Sequence, residues 1–174
     1  MKSEAMLAGG VPCEFLLART PDAAVAATGL LAFPTGFEFT LSAVLRRERI
    51  GRVFDPGPPH GMGRFGAGPL PDEILRFGVQ FSDGRVATNL ARPPLAQMPE
   101  PAAPVLLHQG GSGTNRRNDM RYWIWPLPPP GPLTFVCEWP AFKIPESRVT
   151  VDAQPILDAA NRAIELWPDD DSSG

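Results

Sequence analysis

Apolar and polar residues alternate with a period of two along much of this chain, as they do in strands that bury one face. In "GFEFTLSAVLRR" (36–47), Phe37, Phe39, Leu41, Ala43 and Leu45 take one side, and Glu38, Thr40, Ser42, Val44 and Arg46 take the other. In "EILRFGVQFSDGRVATNL" (73–90), Leu75, Phe77, Val79 and Phe81 alternate with Arg76, Gly78, Gln80 and Ser82. Asp83-Gly84 then supplies the left-handed conformations of a tight hairpin turn, and Val86, Thr88 and Leu90 resume the pattern. "CEFLLART" and "AVAATGLLAF" read as earlier strands separated by Pro21-Asp22, and Pro34-Thr35-Gly36 turns the chain into the Phe37 strand.

Farther on, "MRYWIW" and "LTFVCEW" are rich in aromatic and β-branched residues, with only "PLPPPGP" between them. Two strong strands so close together predict a hairpin, with the prolines as a stiff loop whose missing amides stop the ladder. A polyproline II docking peptide is the competing reading of the same prolines. "RVTV" adds one short strand. The period then changes to that of a helix: in "DAQPILDAANRAIELW", Ile156, Leu157, Ala160, Ile164 and Trp167 form one stripe. This predicts a helix over 153–167, with Asp152 as N-cap, Pro155 in the first turn and Pro168 as the stop.

These elements predict a mainly β fold: an antiparallel β-sandwich of about seven to eight strands, immunoglobulin-like or similar, with one C-terminal α-helix packed on it. A single domain is expected over 11–168, with 1–10 and the acidic 169–174 as flexible tails. Two long Pro/Gly-rich connections are expected at about 51–71 and 92–118.

Composition refines this picture. At 174 residues the chain can bury a core without staples, and its 22 prolines and 17 glycines point to turns rather than long helices. A net charge of -3 argues against general binding to nucleic acid or anionic membranes. There is no apolar run of the length a membrane span needs, and the N-terminus makes a poor signal peptide, so a cytoplasmic location is expected. Cys13 and Cys137 then read as free buried thiols, and a disulfide would require their strands to be neighbours.

Candidate chemistry is sparse. "GMGRFG" (61–66) matches the dinucleotide-binding pattern, but Pro58-Pro59 before it and Gly68-Pro69 after it forbid the strand-turn-helix that the pattern requires. No cofactor is expected. His60 and His108, the only histidines, lie in loop-like segments without metal-ligand spacing, so no metal is expected and a solvated role is. No nucleophile elbow occurs and both cysteines sit in strand-like runs, so no catalytic residue is assigned.

Arginine and tryptophan carry the remaining candidates. Arg46, Arg47, Arg49 and Arg52 fall in "RRERIGR", and Arg116, Arg117 and Arg121 form a second group. They are solvated strand ends unless the fold brings both groups to one rim, where they would hold an anionic ligand or partner. Trp123, Trp125 and Trp139 suit either a core or a surface that stacks on sugars or anchors a partner. Trp123 and Trp125 share one face of their strand, and Tyr122 and Ile124 share the other, as in a strand covered on both sides. The candidate binding residues are therefore Arg46, Arg47, Arg49, Arg121, Trp123 and Trp125.

"RFGVQFSDGRVATNL", "RYWIWPLPPPGPLTFVCEWPAFKIPES" and "ILDAANRAIELWP" together resemble a group of actinobacterial proteins with no assigned activity. The likeness covers most of the chain after about residue 10. It implies a stand-alone cytoplasmic domain and brings no catalytic or binding residues with it. The expected function is a non-enzymatic β-sandwich module acting through protein-protein contacts, as a homodimer or within a larger assembly. A small-molecule or carbohydrate-binding protein using the Trp and Arg residues is the alternative, and a hydrolase built from groups distant in sequence is the third reading.

Overall fold

The alternating runs form strands, and their apolar sides meet in one core. In chain order these are β1 (Met6–Leu7), β2 (Gly9–Gly10), β3 (Phe15–Arg19), β4 (Ala23–Phe33), β5 (Gly36–Leu45), β6 (Arg76–Gln80) and β7 (Val86–Thr88). There follow β8 (Val105–Gly113), β9 (Arg117–Trp125), β10 (Pro132–Trp139), β11 (Ile144–Asp152), α1 (Gln154–Asn161) and β12 (Ile164–Glu165). The structure, a computed structural model, describes residues 4–49, 69–90 and 104–167. The GMGRFG pattern, His60, Arg52, the 51–68 part of the first long connection and the 169–174 tail lie outside the described residues.

All pairings are antiparallel. The larger sheet has the order β2-β4-β5-β9-β8, with β3 also on β4, and the smaller has the order β11-β10-β6-β7. β1 and β12 make a separate two-stranded ribbon. The result is the expected antiparallel β-sandwich with one helix, built from more strands than expected. No helix of the described residues is long and apolar enough to cross a membrane.

The two sheets meet through aromatic rings. Phe39 on β5 lies 5.5 Å from both Phe77 on β6 and Phe135 on β10, and 5.9 Å from Tyr122 on β9. All four are buried, and each such pair contributes about 0.5–1.5 kcal/mol beyond its area. Burial also pushes the Tyr122 phenol up to about 12, against a hydrogen bond from the Asn89 side chain that favours the charged form. Asn89 caps the same hairpin: its Oδ1 accepts the Phe77 amide at 2.8 Å and its Nδ2 donates to Leu75 O at 2.8 Å.

Several expectations change. The β6–β7 loop has one left-handed residue, Gly84 (φ 86°), and Asp83 does not share that conformation. The Gly84 amide donates to Phe81 O and the Phe81 amide to Arg85 O, so the loop is a three-residue turn with a glycine bulge. Asp83 instead accepts the Arg85 amide at 3.0 Å.

The larger correction concerns the proline segment. β9 pairs with β5 and β8, whereas β10 pairs with β6 and β11, so the two strands lie in different sheets and form no hairpin. Residues 126–131 cross from one sheet to the other. Extended at about 3.1 Å per residue they reach well beyond the roughly 10 Å between packed sheets. Ser82 Oγ donates to Pro130 O at 3.0 Å and the Ala153 amide to Gly131 O at 3.0 Å, which fixes the crossing. The hairpin partner of β10 is β11, joined through the 3-10 turn Pro140–Phe142.

The second long connection contains β8, a nine-residue strand whose glycines hide its alternation. His108 on this strand is half-buried, with its ring 5.5 Å from that of Tyr122, and not a solvated loop residue. Strand structure begins within the expected N-terminal tail, at β1. The helix is shorter than expected. Only Ile156, Ala159 and Ala160 find a sheet to bury against; Ile164 joins β12, and both it and Trp167 are exposed. The helix docks where Gly9 leaves room, since a Cβ there would collide with the Ala159 carbonyl. Ala153 occupies the N-cap, and Asp152 serves one residue earlier by accepting the Gln154 amide at 2.9 Å. Both cysteines are free.

Phe39→Ala is expected to lower the unfolding free energy by about 3–5 kcal/mol in chemical denaturation, and a loss under about 1 kcal/mol would contradict the central role of this ring. Tyr122 is the only tyrosine, so phenolate absorbance reports it alone. Its titration midpoint should lie near 12, with a midpoint at the ordinary value of 10 showing an exposed phenol. Because the native state holds this proton more tightly, its contribution to stability is complete below about pH 10 and is lost as pH rises towards 12.

Candidate functional site

Two chain reversals and the end of β5 meet at the same end of the larger sheet. Thr20 closes the β3–β4 turn: its amide donates to Ala23 O at 2.8 Å, its Oγ1 accepts the Ala23 amide at 3.2 Å, and its hydroxyl donates to Phe142 O at 3.2 Å. As β5 ends, the Arg46 amide donates to Asp22 O at 2.8 Å. Where β9 begins, the Leu45 amide donates to Arg116 O at 2.6 Å, and the Arg116 guanidinium donates to Arg46 O at 2.9 Å and Leu45 O at 3.4 Å.

This stitching gathers Arg19, Arg46 and Arg116 around an open groove of about 580 Å³, with Ala23, Ala24 and Val44 among the residues that line it. All three arginines are exposed. The side chains of Arg19 and Arg46 make no ion pair or hydrogen bond among the described residues.

One row deeper, the register sets Ser42 opposite Asp119 and Val44 opposite Arg117. Ser42 donates to Asp119 Oδ1 at 2.6 Å, and Arg117 Nε donates to the two carboxylate oxygens at 2.8 and 2.9 Å. Arg117 also donates to Ser42 Oγ at 3.2 Å. Burial alone would raise the Asp119 carboxyl, but the hydrogen bonds from Arg117 and Ser42 and the Arg117 charge together hold it below its ordinary 3.8. Asp119 thus neutralises Arg117 and fixes the outer face of the sheet. A carboxylate so stabilised is a weak base, so the Ser42 hydroxyl gains no nucleophilic activation from it.

The remaining candidates are dispersed. Arg47 is exposed, and Arg49 lies over the Phe142 ring at 4.9 Å from its centroid. Arg121 is exposed in the middle of the outer face, opposite Thr40 and Gly110. Trp123 is buried, with Phe33 edge-on at 5.5 Å and Gly36 beneath its ring. Trp125 is half-buried opposite Val105. Trp123 stands six residues along β9 from Arg117, about 20 Å at the rise of a strand, so the tryptophans lie away from the groove, and Arg121, two residues from Trp123, does not line it. Arg19 was missed by sequence reasoning. Its only signal is its place at the end of "CEFLLART", beside a turn that the fold brings next to Arg46.

A second groove, of about 340 Å³, lies on the outer face of the smaller sheet. There Arg76 pairs with Glu138 at 2.7 Å and Arg148 with Glu146 at 2.9 Å, so its charge is balanced. Among the described residues, none that lines the groove of the larger sheet is acidic. Among the described residues no three His, Cys, Asp or Glu side chains converge as metal ligands would. Comparison of the chain with protein-family models, with curated proteins and with solved structures gives no match.

The Asp119 contribution to stability is present above its ordinary 3.8 and is lost as pH falls through the lower native value. Asp119→Asn should therefore flatten the decline of the unfolding midpoint between about pH 6 and pH 2 measured by circular dichroism. Parallel declines for the variant and the parent would show that the Arg117 contact adds nothing.

Proposed function

We propose that this protein is a non-enzymatic binding module that acts through protein contacts, and that its arginine-rimmed groove receives an acidic segment of the partner. The observation that carries this reading is the convergence of Arg19, Arg46 and Arg116, at or next to the ends of three different strands, on one groove while the chain as a whole is acidic. Guanidinium groups present forks of N–H donors that match carboxylates, and the hydrogen bonds of Arg116 to two backbone carbonyls set its orientation in advance. The groove is open, as suits a chain segment laid across it, whereas small-molecule sites enclose most of their ligand. Of the two tryptophans that the carbohydrate alternative uses, Trp125 is half-buried and Trp123 is packed against Phe33, so only the first offers a ring to a sugar.

A fluorescent hexaglutamate peptide tests the groove by anisotropy at low salt. Arg19→Ala with Arg46→Ala removes two guanidinium groups that make no hydrogen bond among the described residues, so the fold should be retained. Exposed ion pairs are worth about 0.2–1 kcal/mol each, so the double variant should bind about two- to thirtyfold more weakly, and salt should weaken the parent. Equal binding by the folded double variant would overturn the proposal.

A further inference from the structure

The end of the molecule opposite the groove carries a different surface. There β1 and β12 pair Leu7 with Ile164, and the Leu166 amide donates to Ala5 O at 2.8 Å. Leu7, Ile164, Leu166 and Trp167 are all exposed on this ribbon, Trp167 at 71%. In the sequence Trp167 is followed by Pro168 and then by Asp169, Asp170 and Asp171. Exposed apolar side chains followed in sequence by three carboxylates complement a groove with a cationic rim and an apolar lining.

We infer that the occupant of the groove is the Trp167 end of a second copy of this chain, so that copies join head to tail. The inference rests on the groove reading above. A chain cannot fill its own groove this way. β2 pairs Gly9 with Ala32 and Gly10 with Leu31, so the ribbon enters from the side away from the groove. Ala24, which lines the groove, lies eight residues from Ala32 along β4, about 27 Å at the rise of a strand. Asp171 is four residues beyond Trp167 and reaches about 14 Å at most. The carboxylates therefore meet the arginines only between molecules. Such an interface uses two different patches, so it propagates into chains or closes into rings and does not stop at a twofold dimer.

Sedimentation velocity on the full chain tests this. At low salt the mass should rise with concentration, and added salt should reverse the rise. Arg19→Glu with Arg46→Glu should abolish assembly by removing the groove, and Trp167→Ser with Asp169→Asn, Asp170→Asn and Asp171→Asn should abolish it by removing the end. Mixed together, the two variants should form a 1:1 complex and nothing larger, because each retains one intact half. A strict monomer at all concentrations, or no complex in the mixture, overturns the inference.

A synthetic peptide covering 164–174 separates the two claims. It should bind the parent, and about tenfold or more weakly the Arg19→Glu, Arg46→Glu variant. If hexaglutamate binds through Arg19 and Arg46 but this peptide does not, the second-copy inference fails and the groove reading survives. If neither binds, both fail.

Discussion

The ring of Phe39 is the contact on which the two sheets depend. It sits on the central strand of the larger sheet and touches Phe77 and Phe135, which come from the two inner strands of the smaller one. Its geometry is edge-on to Phe135 at 89° and close to parallel with Tyr122 at 25°, both favourable arrangements of ring quadrupoles. Four inner strands thus share one cluster. β3 joins it through Phe15, whose ring lies 4.9 Å from Phe135. The apolar interior is therefore concentrated in the middle of the sandwich, and the strand ends are organised by other means.

At the groove end those means are main-chain hydrogen bonds. Arg46 is held by Asp22 O, and Leu45 by Arg116 O, before any guanidinium contact is considered. Like charges brought together in this way repel, and the repulsion is offset locally. Arg117 is neutralised by Asp119, and Arg116 gives its donors to two carbonyls in bonds worth about 1.5–3 kcal/mol each for a charged donor. The strand register thus decides the location of the charge, and the aromatic core decides the register.

The alternating runs made the strands legible, because period two is a local property of each run. Partnership was not legible. Trp125 and Leu133 are close in sequence, which favours a hairpin, yet their strands belong to opposite sheets because each finds a better partner elsewhere: β5 for the first, β6 and β11 for the second. β8 was hidden because Gly110, Gly111 and Gly113 supply no side chains to alternate. That Arg46 and Arg116 could share a rim is one reading of their two arginine groups in the sequence, but Arg19 requires knowledge that β3 and β5 flank the same strand. The helix was overextended because its stripe continues in sequence past the point where any sheet remains to cover it.

The tryptophans show why residue type is a poor guide to exposure. Trp139, set in an aromatic run that looks adhesive, is fully buried, and its Nε1 donates to Glu73 O at 3.0 Å. Trp123 closes over Gly36 because that position lacks a Cβ. Each indole is buried where a neighbouring strand supplies a surface for its ring. Trp167 has the same chemistry and a helical spacing that assigns it to the interior, yet the chain has already left the helix, and Trp167 lies beyond the paired residues of β12 and is exposed. Keeping an indole in water with Leu7, Ile164 and Leu166 forgoes burial worth about 25 cal/mol for each Å² of apolar surface. Leu7 and Ile164 stand opposite each other across the two strands, so at least two of these exposed side chains are neighbours. Among the described residues the buried cluster includes no residue of this ribbon, so the interior they form does not draw on its apolar side chains.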